Sequence, residues 1–232
     1  MKNTPRVRAT ALLLATLFCL TSCASEAERR KATIQRANEF LALTWTPTEK
    51  NIRHGADRYG VHVDTPDDAY ENARGRGYGW RVGEANRGMP YKWGGFDTPE
   101  SFLLKIKHGH PAGDRYSAAK REQLEKAVSR EAAGIDCSGF ISRCWNLSRH
   151  YSTRELPGLC RPLESFAELK AGDLLNKHND HALLFHRWDA PDKSAFLAFE
   201  AGAPPFQKAQ MNRYFVSRLK EKGFQPYTYL GR

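Results

Sequence analysis

Cys137 stands in the stretch GIDCSGFISRCW, residues 134–145, directly after an acid and at the head of an apolar-periodic run. Phe140, Ile141, Cys144 and Trp145 follow it at i+3, i+4, i+7 and i+8, the spacing of one helix face. Cys137 belongs to that face but falls in the first turn. Unpaired backbone N–H groups and the positive end of the helix dipole favour an anion there, and a thiolate is a nucleophile. Ser138 and Gly139 are small enough for a carbonyl group to approach the backbone. Cys144, deeper on the same face, reads as a packing residue. Position alone leaves Cys137 evenly divided between a nucleophile and a buried structural thiol.

A thiolate needs a base, and the chain carries eight histidines. Most of them precede the helix or sit in charged, loop-like stretches. His181 differs: it opens the apolar run HALLFHRW, and the end of a strand can deliver an imidazole rigidly. The HGH triplet at 108–110 fits no familiar zinc spacing, and its Gly109 reads as a helix stop, so no metal is expected.

Helices come first along the chain and short strands afterwards. Residues 26–44 carry Ile34, Ala37, Phe40 and Leu41 at amphipathic spacing, and Trp45-Thr46-Pro47 ends that helix. Residues 50–80, rich in Arg, Asp, Asn, Gly and Tyr, read as a loop with short helical turns. Thr98 and Pro99 supply an N-cap and first residue for a helix that Gly109 stops. A second, charged helix is expected over about 117–132. The runs AGDLLNK, HALLFHRW and AFLAFEAG then read as strands, with RYFVSRL and PYTYL as further candidates. This order predicts an α+β domain with an antiparallel sheet.

The first two dozen residues read as a targeting segment. Lys2, Arg6 and Arg8 precede the apolar run ALLLATLFCL, which is too short for a comfortable membrane span. LTSC, residues 20–23, resembles the bacterial lipobox, which would make Cys23 the lipidated N-terminus of the mature chain and anchor it to a membrane. Loss of residues 1–22 removes three basic residues and no acidic ones, taking the formal charge from +10 to +7. A mild basic excess suits an envelope polyanion or lipid headgroups, and export argues against nucleic acid as a partner. Cys137, Cys144 and Cys160 would then share an oxidising compartment. Three is odd, so at least one thiol stays free or pairs outside the chain, and export favours a Cys144–Cys160 bond over two reduced thiols.

YKWGG (91–95), IDCSGF (135–140), LKAGDLL (169–175) and HALLF (181–185) occur in that order, and together they resemble the NlpC-type cell-wall cysteine peptidases, a papain-like group. The resemblance spans about residues 89–202, with DCSGF its most specific part. It implies a papain-like fold, with the nucleophile helix packed on an antiparallel sheet. It also implies Cys137 as nucleophile, His181 as general base and Tyr91 as a cleft-lining tyrosine. Three features depart from the pattern. Residues 96–133 intervene between the GG and the Cys motif, Glu200 stands where a histidine is usual, and Leu183 replaces a small glycine. The implied organisation is a signal peptide at 1–22, an N-terminal helix and linker at 23–80, and a catalytic domain at 81–232 with an insertion at 96–133.

A geometric expectation attaches to Glu200. A turn WDAPDK centred between Ala190 and Pro191 would set Glu200 directly opposite His181 across a bulge-free hairpin, where a carboxylate can fix the imidazole tautomer. The chemistry these expectations make up is hydrolysis of amide bonds in peptidoglycan stem peptides through a Cys137 acyl-enzyme. Backbone N–H groups at the helix start, with Tyr91, Asp136 and Ser138 around them, would meet the substrate and its oxyanion. The expected protein is a monomer of the cell envelope, and the insertion caps its cleft. The alternatives are a papain-fold binding lipoprotein with a decayed site, or an acyltransferase resolving the same acyl-enzyme with an amine.

Overall fold

The computed structural model describes residues 26–68, 79–202 and 207–231. The proposed signal segment 1–22 and Cys23 lie outside them. α1 (26–42) buries Ala37 and Phe40 on the face that its periodicity marks. β1 (Thr44–Trp45) follows at once and pairs with β4 (Asn86–Arg87). Between them, the stretch expected to be a loop with helical turns holds one such turn, Glu49–Asn51, and then an antiparallel ribbon of β2 (His54–Ala56) and β3 (His62–Asp64). The Asp57 carboxylate makes that ribbon's turn, accepting from the amides of Tyr59 and Val61 at 2.9 Å each.

α2 (Pro99–Lys107) begins at Thr98, whose hydroxyl accepts from the Ser101 amide, and stops as expected at Gly109, where φ is +78°. α3 (Ala118–Gln123) is capped by Ser117 but is much shorter than the helix expected to reach residue 132. It gives way to a tight turn over Leu124–Ala127 where Leu124 leaves helical geometry at φ +52°. The Trp93 indole donates to Leu124 at 3.1 Å, and the buried Lys120 ammonium donates to Ala127 at 3.3 Å.

α4 (Cys137–Cys144) precedes the main sheet, which contains β5 (Cys160–Pro162), β6 (Leu174–Lys177), β7 (His181–Trp188), β8 (Ala195–Ala201), β9 (Ala209–Phe215) and, after α5 (Val216–Glu221), β10 (Gln225–Tyr229). The spatial order is β5-β10-β6-β7-β8-β9, antiparallel throughout, so the architecture is α+β. RYFVSRL, expected to be one strand, divides at Phe215 into the end of β9 and the start of α5. α4 packs on β7 and β8. Phe140, Ile141, Cys144 and Trp145 join Leu184, Phe199 and Ala201 in the larger core, while Leu183, Phe185, Phe196 and Phe224 form a second core on the other face.

The expected Cys144–Cys160 bond does not form: Cys137, Cys144 and Cys160 are all free. Cys144 is wholly buried under α4, whereas Cys160 opens β5 at the sheet edge with its thiol donating to the Leu156 carbonyl at 3.3 Å. Burial pushes the Cys144 thiol well above its ordinary pKa and that of Cys160 up to about 12, with the Asp173 charge adding to the latter. Among the described residues, no helix is long and apolar enough to cross a membrane.

Candidate active site

Cys137 is the first residue of α4 and 8 % exposed. Asp136 is its N-cap, accepting from the Gly139 amide at 2.6 Å, and the Asp136 carbonyl accepts from the Phe140 amide. The amides of Cys137 and Ser138 precede these two, and nothing else in the helix can use them, so they remain as donors beside the sulfur. Gly139 is small for a reason: a Cβ there would meet the Gly95 carbonyl oxygen at 2.0 Å. The WGG segment therefore lies against the helix start, which ties the two motifs together in space.

His181, the first residue of β7, faces that sulfur. Its Nε2 lies 2.8 Å from Oε2 of Glu200, which leaves Nδ1 as the ring nitrogen for Cys137. The Phe224 ring packs edge-on against the imidazole at 6.4 Å between centroids. Burial alone would push the imidazole pKa down. The charge and hydrogen bond of Cys137, together with those of Glu200, override it and raise His181 to about 10, so the ring is an imidazolium at neutral pH.

Glu200 is only 1 % exposed, yet it remains ionised. Burial favours its neutral form, but the His181 imidazolium, the Tyr214 hydroxyl and the Asn212 amide outweigh that and hold it below the usual carboxylate range. The Asn212 and Gln210 amides both donate to Oε1, the latter at 3.2 Å. Burial and the Glu200 charge push the Tyr214 phenol up, so it stays a donor.

The hairpin reaches this arrangement by another register than the expected one. Trp188 pairs with Phe196, three residues beyond the partner that a turn centred at 190–191 would assign. A bulge between Phe185 and Arg187 takes one residue back, so Leu184 pairs with Phe199. Continued by one step, that register sets Glu200 opposite Leu183, diagonal to His181 rather than facing it. Direct opposition is therefore corrected to a diagonal contact. A net slip of two keeps side chains on the same face, and a glutamate spans the diagonal.

Tyr91 is buried against the site, bridged to Ile135, and its phenol is pushed up by burial and by the charges of Cys137 and Asp136. Gly202 has φ +113°, and a Cβ there would fall 2.1 Å from the Tyr91 ring, so the glycine closing AFEAG makes room for the tyrosine. Ser138 and Asp136 border the cleft too, but the Asp136 carboxylate accepts hydrogen bonds and cannot donate to an oxyanion. Both its oxygens lie 3.0 Å from Nε2 of His150, and Ser138 donates to it at 3.0 Å. Despite burial, the His150 charge and these hydrogen bonds hold Asp136 below the usual carboxylate range. Burial would lower His150, but the Asp136 charge raises it.

Cys137 and His181 open onto a cleft of about 810 Å³. The later half of the insertion walls it with Tyr116, Arg121, Leu124, Glu125, Val128 and Arg130, while α2 contributes no lining residue. Of the two helices expected to cap the cleft, only α3 and the turn after it do so. His108 and His110 are occupied elsewhere: His108 caps α2, and His110 Nδ1 lies 2.8 Å from the Glu131 carbonyl. Among the described residues, no group of three or more metal-ligating side chains assembles.

Sequence reading missed His150, which follows α4 in a segment without periodicity. It also missed Gln210, Asn212 and Tyr214. These had a signal: AQMNRYF places polar side chains at every second position, and their pairing with Glu200, Ala198 and Phe196 sets them on the Glu200 face. No family model, curated protein or solved structure matches this chain.

Proposed function

We propose that the protein is a cysteine hydrolase of amide bonds, with a papain-like arrangement of site and sheet, acting on peptidoglycan stem peptides. The chain Cys137–His181–Glu200, whose first two members line the cleft while Glu200 is buried behind them, carries this reading. The motif order of YKWGG, IDCSGF, LKAGDLL and HALLF supplies the substrate class by resemblance.

The Cys137 sulfur attacks the substrate carbonyl carbon, and the carbonyl π electrons move onto oxygen, where the Cys137 and Ser138 amides receive the charge. His181 gives its Nδ1 proton to the amine as the C–N bond breaks, leaving a thioester. The now neutral imidazole takes a proton from water, whose oxygen attacks the thioester; the acid product leaves and the thiolate–imidazolium pair returns. Glu200 keeps Nε2 protonated and the ring in place throughout.

Purified peptidoglycan digested with the protein should release peptides identifiable by mass spectrometry, and Cys137→Ala protein should release none. Equal release by both would refute the reading. Alkylation of Cys137 without release from any stem peptide would favour a binding protein with a decayed site.

A further inference from the structure

The cleft borders carry four carboxylates, and each one has its own partner. Asp136 is held by His150, and Glu155 by Arg149 at 2.9 Å and by the Ser152 amide and hydroxyl. Asp180 pairs with Lys177 at 2.6 Å, and Glu125 with Arg154 at 3.4 Å. The arginines of the insertion wall are not so engaged. Among the described residues, neither Arg121 nor Arg130 makes an ion pair, although Arg121 is half-buried beside the aromatic wall of Trp93 and Tyr116. Arg130 rests over the Tyr59 ring, 5.6 Å from its centroid, an arrangement that leaves the guanidinium N–H groups available.

The half-buried Arg121 guanidinium has lost part of its hydration and gains most from a planar anion that accepts its N–H groups in pairs, while Arg130, exposed on the same wall, adds a second cation. We infer that Arg121 and Arg130 form a carboxylate-binding subsite on the insertion wall of the cleft, so that the preferred substrate presents a free carboxylate to that wall. This inference rests on the hydrolase reading for the word substrate but not for the binding itself. The subsite lies on the segment that interrupts the GG-to-Cys spacing, and it gives that insertion a selective role. Neither arginine touches Cys137, His181 or Glu200, so both are specificity residues rather than catalytic ones.

The test uses a fluorescent stem tetrapeptide with free carboxylates and the same peptide with each carboxylate converted to a carboxamide. Both are titrated into Cys137→Ala protein and followed by anisotropy. The carboxylate form should bind about tenfold more tightly at low salt, an advantage that shrinks as ionic strength rises. In an added Arg121→Gln/Arg130→Gln background the two forms should bind alike, while Arg121→Lys, a point charge without the fork, keeps part of the preference. Circular dichroism on each variant separates loss of the subsite from loss of the fold. Equal affinity for the two peptides, binding of neither, or a preference surviving the double substitution in folded protein would overturn the subsite. Turnover by the wild type answers the separate question. Selective binding without peptide release counts against the hydrolase reading alone, and equal cleavage of both peptides counts against the subsite alone.

Discussion

Two histidine–carboxylate pairs flank the first turn of α4, and they do different work. His181–Glu200 is built on neighbouring strands of the sheet and meets the Cys137 sulfur. His150–Asp136 joins the loop after α4 to the residue before it, and the carboxylate of that pair is the helix cap. In both, the carboxylate is buried and the imidazole raised. Glu200 spends its remaining acceptor capacity on Gln210, Asn212 and Tyr214, which fix it to β9, whereas Asp136 spends its own on Gly139 and Ser138. The same pair of residue types thus sets an imidazole against a thiol in one place and pins a backbone in the other. What differs is whether the second ring nitrogen faces a sulfur.

Removing that sulfur gives the largest effect. Cys137→Ser should lower turnover by at least about 10⁴-fold with an unchanged circular dichroism spectrum. Substituting the first histidine comes next: His181→Ala should cost about 10²- to 10⁴-fold in turnover and slow iodoacetamide alkylation of Cys137 at neutral pH. Comparable losses from His150→Ala would erase the distinction between the pairs.

Glu200→Gln should act through pH. The His181 pKa is raised, so the imidazolium is fully formed below its ordinary range and is lost as pH rises through about 10. The alkaline limb of kcat/KM should lie near that value in the wild type. Without the Glu200 charge it should fall by about one pH unit or more, because an opposite charge has been taken from the charged form. An alkaline limb that does not move would show that Glu200 serves packing alone.

His150→Gln should give the smallest catalytic change and a structural one in its place. Its amide can still donate to Asp136, so unfolding free energy should drop by about 1 kcal/mol in denaturant titration while the alkaline limb stays put. Asp136→Ala removes the cap as well and should destabilise further, by about 1–2 kcal/mol in all. A shifted alkaline limb in His150→Gln would join the two pairs into one titrating unit.

Local chemistry made much of this site readable. Cys137 and its apolar helix face, the Thr98 cap and Gly109 stop of α2, and the opening of β7 at His181 all depend on residues within a few positions of one another. α3 instead stops where Leu124 turns to φ +52°, in a turn whose carbonyls Trp93 and Lys120 hold, and hydrophobic periodicity is blind to such contacts.

The sequence by itself determined which helix would hold a thiol at its N-terminus, and that His181 and Glu200 would share one face of a hairpin. That last expectation survived a wrong register because side-chain direction in a strand repeats every two residues and the slip was two. Only the tertiary structure decided that Asp136 belongs to His150, that β9 supplies the donors for Glu200, and that Cys144 and Cys160 stay apart. Strand pairing of β8 with β9 and the packing around α4 set those distances between segments. No local preference encodes such a distance, because burial rewards the whole interface rather than any one pair.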